Sequence, residues 1–126
     1  MFLAAASMTA AAAIDATDAS IGDGDAGRRV FNRSCRVCHQ VEAGAGSALG
    51  PNLAGFAGRA APVDAAYSYS EAFKAAAAKG LVWNNSTLDG FLRAPTRFIP
   101  GTRMPLTVSD ATQRRDLIAY LSTLTP

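Results

Sequence analysis

The chain has little of the residue types that most often carry chemistry. Its 126 residues include two cysteines, one histidine and two lysines. Both cysteines and the histidine fall in one run, Cys35-Arg36-Val37-Cys38-His39. With no other cysteine or histidine, a structural zinc site, which takes about four nitrogen or sulfur ligands, cannot be completed. No alternating β-branched run precedes Cys35, so the strand–helix–strand setting of a thioredoxin-like redox pair is missing. A disulfide across so short a loop would account for neither His39 nor the rest of the pattern. No strand pattern and no internal repeat stands out. Aromatics make up 8%, and the 49% apolar content is dominated by alanine, so the side chains alone make a thin core.

Charge is sparse as well. Twelve basic against ten acidic residues leave a net +2, and ten of the twelve are arginine. Residues 1–21 hold two acids and no base, so the rest of the chain carries +4. That excess is too small and too scattered for nucleic acid. It suits brief encounters with acidic partner surfaces.

Residues 1–21 read as a signal-like or disordered leader, and residues 22–126 as one domain. Met1 to Ile14 is apolar and small, with cleavage options such as Ala11-Ala12-Ala13, yet the first basic residue is Arg28, so a positive n-region is missing. Either the true start lies upstream, or the segment is a weak signal, or it is an alanine-rich tail. It is too short to cross a membrane. Gly22-Asp23-Gly24-Asp25-Ala26-Gly27 has the form G-x-G-x-x-G, but no strand precedes it and no βαβ unit follows, so nucleotide binding fails on context. It reads instead as a flexible entry to a first helix, with Asp25 placed where a negative charge is favoured.

What the chain does have is C-x-x-C-H, the attachment signature of c-type haem. Two thiols three residues apart on a helical turn can each add across a porphyrin vinyl group, and the histidine that follows can give a ring nitrogen to the iron. The common partner for such a histidine is a methionine, which raises the reduction potential. Met1 and Met8 lie in the leader, so Met104 remains, 65 residues after His39. A lone methionine is often core filler. The segment Pro100-Gly101-Thr102-Arg103-Met104-Pro105 is a rigid polar loop, a poor place for filler, and this favours Met104 as ligand. A buried haem would also supply the apolar mass that the side chains lack, as metals and crosslinks do in other small domains.

The periodicity predicts an all-α fold. A first helix is expected over about 25–37, with Val30, Phe31, Ser34, Cys35 and Cys38 on one stripe. Glycines and prolines then mark 40–66 as a long loop, of the kind that is usually functional or disordered. A second helix should span 70–79, ended by Gly80. A third starts near Ser86 or Thr87 and stops before Pro95, with Leu88, Phe91 and Leu92 inward. The last begins after Ser109 as N-cap, turning Leu117, Tyr120, Leu121 and Leu124 to the interior and Arg114 and Arg115 to water.

With these motifs placed, residues 25–124 resemble class I cytochrome c, the mitochondrial and short bacterial electron-transfer haem proteins. Gly27-Arg28-Arg29-Val30-Phe31 is similar to the family's first helix and Leu117-Ile118-Ala119-Tyr120-Leu121 to its last. The resemblance implies a small fold of about four helices and long loops wrapped round one covalent haem c. It also implies that those two helices cross with Gly27 against Tyr120, a close approach that glycine permits. Gly50-Pro51-Asn52-Leu53 resembles the segment whose proline carbonyl orients the proximal histidine, so Pro51 would accept from His39. Arg59, Tyr69, Trp83 and Thr102 fall where the family holds the haem propionates. Trp83 and Tyr69 would serve equally as core residues with a satisfied polar tip, and Arg59 as a solvated cation.

Departures stand beside these likenesses. Phe91 occupies the place of a tyrosine near the methionine sulfur, and Leu106 that of a phenylalanine near the haem edge. The stretch from Met104 to Asp116 is shorter than in mitochondrial members. The family's lysine ring is nearly absent; Arg36, Arg93, Arg97 and Arg103 either replace it or are solvated surface. The function implied is that of a soluble, monomeric, non-enzymatic one-electron carrier in the periplasm, or the intermembrane space if the source is eukaryotic. Its partners would be a membrane quinol-oxidising complex and a terminal oxidase, reaction centre or dehydrogenase, with no stable membrane insertion and no nucleic acid. A rival reading is a haem sensor or peroxidase-like protein from which Met104 dissociates to admit a small ligand. A second is a haem subunit tied to one enzyme, which would demand an exposed apolar patch, and no such run is evident.

Overall fold

A computed structural model describes residues 22–126, so the expected leader over 1–21 lies outside the described residues. Among the described residues there are five helices: α1 Gly24–Ser34, α2 Glu71–Ala78, α3 Asn85–Arg93, α4 Pro95–Phe98 and α5 Ala111–Leu121. Apart from one isolated antiparallel bridge, Ala60 with Val82, no β-structure appears among them.

α1 starts earlier than expected. Asp23 is its N-cap, with Oδ1 accepting from the N–H groups of Asp25 at 2.9 Å and Ala26 at 3.3 Å. The stretch from Gly22 to Gly27 is therefore the cap and first turn rather than a flexible entry, since an aspartate can satisfy orphan donors there. α1 also ends at Ser34, and Cys35 to Cys38 continue as turns.

Caps explain the other boundaries. Ser70 accepts from Phe73 N–H at 3.1 Å to open α2. Asn84 and Thr87 form a reciprocal capping box, so α3 begins one residue before the expected start. Pro95 ends α3 and opens α4, at a position where its missing N–H leaves nothing unpaired. The turn of α4 was not expected, because proline reads as a stop. Asp110 rather than Ser109 caps α5, accepting from Gln113 N–H at 2.9 Å.

α1 and α5 pack against each other, burying Val30, Phe31, Leu117, Ile118 and Leu121. At the crossing, a side chain on Gly27 would run into the backbone of Asp116 and Leu117. The closest approach to Gly27 is that of this peptide, and Tyr120, on the same helix, packs its ring on Phe31 at 5.5 Å. A backbone atom cannot swing aside as a side-chain tip can. Gly27→Ala is therefore expected to destabilise the protein by about 2–4 kcal/mol, the range of severe overpacking. An unchanged denaturation midpoint would disprove this account of the crossing.

Arg114 does not take the wet side. It is only 7% exposed. Its Nε donates to Asp89 Oδ1 at 2.7 Å, and Nη1 donates to the carbonyls of Val108 at 2.8 Å and Ser109 at 3.1 Å. Arg114 lies one turn before Leu117 and Ile118 on the inner face, so its stem packs inward while α3 and the loop satisfy its head. Arg115 is exposed, as expected.

Candidate cofactor site

The core is not closed. A cavity of about 400 Å³ lies inside the helices and the 40–66 loop, walled largely by Phe31, Phe56, Phe73, Trp83, Phe91 and Leu117. Cys35, Cys38, His39, Pro51, Tyr69, Trp83, Thr102 and Met104 all line it. Arg59 does not; its side chain is exposed outside the lining, and its carbonyl accepts from Trp83 N–H at 2.9 Å.

The thiols and imidazole are set by a tight sequence of turns. Cys35 N–H donates to Phe31 O at 2.8 Å, and the N–H groups of Cys38 and His39 donate back to Cys35 O at 3.1 and 3.0 Å. Both cysteines are free thiols, Cys35 buried and Cys38 half-buried. Burial, with the nearby Cys38 adding to it, pushes the Cys35 thiol up to about 11, so it is protonated at neutral pH.

His39 Nδ1 lies 2.8 Å from Pro51 O. A carbonyl only accepts, so Nδ1 carries the proton and Nε2 keeps its lone pair. Burial lowers the His39 pKa and outweighs the opposing effect of the Pro51 bond, which keeps the imidazole neutral and able to bind a metal. Gly50 makes room for this ring: a Cβ there would sit 2.6 Å from a ring carbon.

Met104 is half-buried against the core. Its loop is tied at both ends, by Thr102 N–H to Ile99 O at 3.0 Å and by Val108 N–H to Leu92 O at 2.8 Å. Between them Arg103 Nη1 donates to Ser68 O at 2.7 Å, fastening the methionine loop to the tyrosine segment. Of the four arginines considered as a docking set, Arg103 thus has a structural bond, and Arg36, Arg93 and Arg97 are exposed. Phe91 is buried edge-on to Trp83 at 5.3 Å, and Leu106 is 39% exposed at the rim.

Tyr69 stacks on Phe73 at 4.5 Å, and its hydroxyl accepts from Asp64 N–H at 3.1 Å, which leaves its own proton to donate. Burial raises its pKa, so the phenol stays protonated.

Asp64 and Tyr67 are organising residues that the sequence pattern did not single out, and Asn52 stood in it only as part of the Gly50–Leu53 segment. Asp64 Oδ2 accepts from Ser47 Oγ at 2.7 Å and Asn52 N–H at 2.8 Å, and Oδ1 from Ala66 N–H at 3.1 Å. The Asn52 side chain donates to the carbonyls of Glu42 and Gly46 at 2.9 and 3.0 Å. Tyr67 donates to Leu49 O at 2.9 Å. The one available signal was the loop itself, whose many backbone groups require side-chain partners, the usual work of Asp and Asn.

These residues fit a haem. Two thiols and a neutral imidazole reach one apolar cavity with a thioether, Gly50 leaves the ring its space, and donors such as Tyr69 stand at its wall. Exposed Val37 and Leu49, both 76% accessible, line the same cavity and mark an edge open to solvent.

A family model described as Cytochrome c matches residues 24–125. Cytochrome c of Guizotia abyssinica is 41% identical over 109 residues, covering 86% of this chain and 96% of the relative. Cytochrome c2 of Agrobacterium tumefaciens (strain II Chrys) is 44% identical over 101 residues, covering 79% and 90%. Among solved structures, cytochrome c2 from Rhodospirillum centenum superposes with a TM-score of 0.78 at 29% identity, covering 83% of this chain and all of that one.

Proposed function

The chain belongs to the class I cytochrome c family, and on that premise we propose that His39 and Met104 hold its iron and that Cys35 and Cys38 carry the two thioether bonds. It is an electron carrier with one haem c, bound covalently. The haem, when bound, supplies the chemistry by alternating between ferric and ferrous iron. Everything else falls to the chain's own residues. Pro51 fixes the His39 tautomer and ring plane, and Gly50 keeps the ring's approach clear. The methionine loop, tied at Ile99, Ser68 and Leu92, holds the sulfur so that the ligand set need not rearrange. The aromatic walls exclude water, and the Tyr69 hydroxyl, the Trp83 ring and Thr102, all lining the cavity, would hold the propionates. Arg59, exposed and outside the cavity lining, would have to meet them from the surface.

We further read the protein as a soluble monomer that transforms no substrate, in the periplasm or intermembrane space. In this reading it passes electrons from a membrane quinol-oxidising complex to a terminal oxidase, reaction centre or dehydrogenase. Supporting this, relatives come from both plants and bacteria, and among the described residues no helix is long and apolar enough to cross a membrane. The observation that carries the proposal is the meeting of Cys35, Cys38, His39 and Met104 in one apolar cavity. Carbon monoxide added to the reduced protein tests it against a ligand-binding role. A six-coordinate carrier leaves the spectrum unchanged, whereas a readily formed carbonyl adduct would overturn the reading.

A further inference from the structure

A single peptide group connects His39 to a carboxylate. The carbonyl oxygen of Pro51, 2.8 Å from His39 Nδ1, and the N–H of Asn52, which donates to Asp64 Oδ2 at 2.8 Å, belong to the same amide. Taking His39 as an iron ligand, we propose that Asp64 is a positioning residue that tunes this histidine through the Pro51–Asn52 peptide.

The physical link is amide resonance. Electron density leaves the nitrogen and gathers on the oxygen together, which is why the bond is planar. A carboxylate on the N–H favours that polarised form, so the Pro51 oxygen becomes a stronger acceptor. Hydrogen bonds in series reinforce one another in this way. A stronger acceptor on Nδ1–H makes Nε2 a better electron donor, as carboxylates do when they bond metal-ligating histidines directly. Better donation stabilises ferric over ferrous iron and lowers the potential.

Asp64 is suited to the role. Burial works to raise its pKa, but the bonds from Asn52, Ser47 and Ala66 prevail and bring it below the ordinary value, so it is ionised at neutral pH. Among the described residues no lysine or arginine forms an ion pair with it, and its charge is not cancelled locally. Its own N–H reaches Tyr69, so the residue that polarises the histidine's support also fixes a wall of the cavity.

The test uses the full, haem-loaded chain. Asp64→Asn can still accept from Asn52 but has lost the charge. The reduction potential should rise, and in the reduced protein the His39 Nδ1 proton should move upfield and exchange about fivefold faster, the effect of weakening one hydrogen bond by roughly 1 kcal/mol. Ser47→Ala loosens the same loop but keeps the carboxylate on Asn52, and should leave the potential where it was. If both variants raise the potential alike, or if Asp64→Asn leaves it unmoved or lowers it, the relay is wrong. Should Asp64→Asn mature poorly, the wild-type protein still decides: the Asn52 amide proton must exchange slowly, and exchange at the rate of a free loop overturns the proposal. The ligand reading fails separately, by loss of the sulfur–iron band in the wild type.

Discussion

Replacing Met104 by alanine should open the sixth coordination position and lower the reduction potential. A thioether favours ferrous iron, and axial ligands between them command about 0.8 V of potential. Losing Met104 while keeping His39 is expected to shift it down by on the order of 0.1–0.3 V on that scale. Nothing nearby can replace the sulfur. Phe91 presents a hydrocarbon ring, and the Arg103 guanidinium, which has no lone pair to give, is committed to Ser68. The reduced variant should therefore take up carbon monoxide while the wild type does not. Its fold should survive, because the loop's ties at Thr102, Arg103 and Val108 do not pass through residue 104. Electrochemical titration of the two proteins side by side checks the potential. An equal potential in both would mean that Met104 is core filler after all.

Substituting Cys35 and Cys38 together by alanine should abolish haem that resists acid–acetone extraction. Both thioether bonds disappear, and among the described residues there is no third thiol to form one. The loss should extend to the fold. A cavity of about 400 Å³ left unfilled would cost on the order of 10 kcal/mol at ~24 cal/mol per Å³, less where water enters its open edge. That is comparable with the whole stability of a small domain, about 5–15 kcal/mol. The double variant is accordingly expected to show weak helical circular dichroism as well as extractable haem. Haem retained through acid–acetone treatment would contradict the assignment of these two residues.

Much of the site was legible because its chemistry is local. A thiol, a thiol and an imidazole at fixed spacing need only one helical turn to come together, and a methionine between prolines is conspicuous wherever it folds. The inward set Leu88, Phe91 and Leu92 follows from side chains acting on their own helix. What escaped notice depends on distant partners. Arg114 looked solvated because nothing in α5 shows that Asp89 and the Val108 carbonyl wait for it. Asp23 looked like a flexible lead-in because its N–H bond to Asp116 spans nearly the length of the domain. α4 hid behind a proline that ends one helix and begins the next. Asp64 carried no motif at all, and it gains meaning only when the loop folds its carboxylate onto the amide of Asn52.

The most direct test of the haem held by His39 and Met104 is the optical spectrum of the oxidised protein matured in a host that assembles c-type cytochromes. A far-red sulfur–iron band, present in the wild type and lost in Met104→Ala, is the predicted result. An oxidised wild-type spectrum without that band, with haem covalently attached, would contradict it.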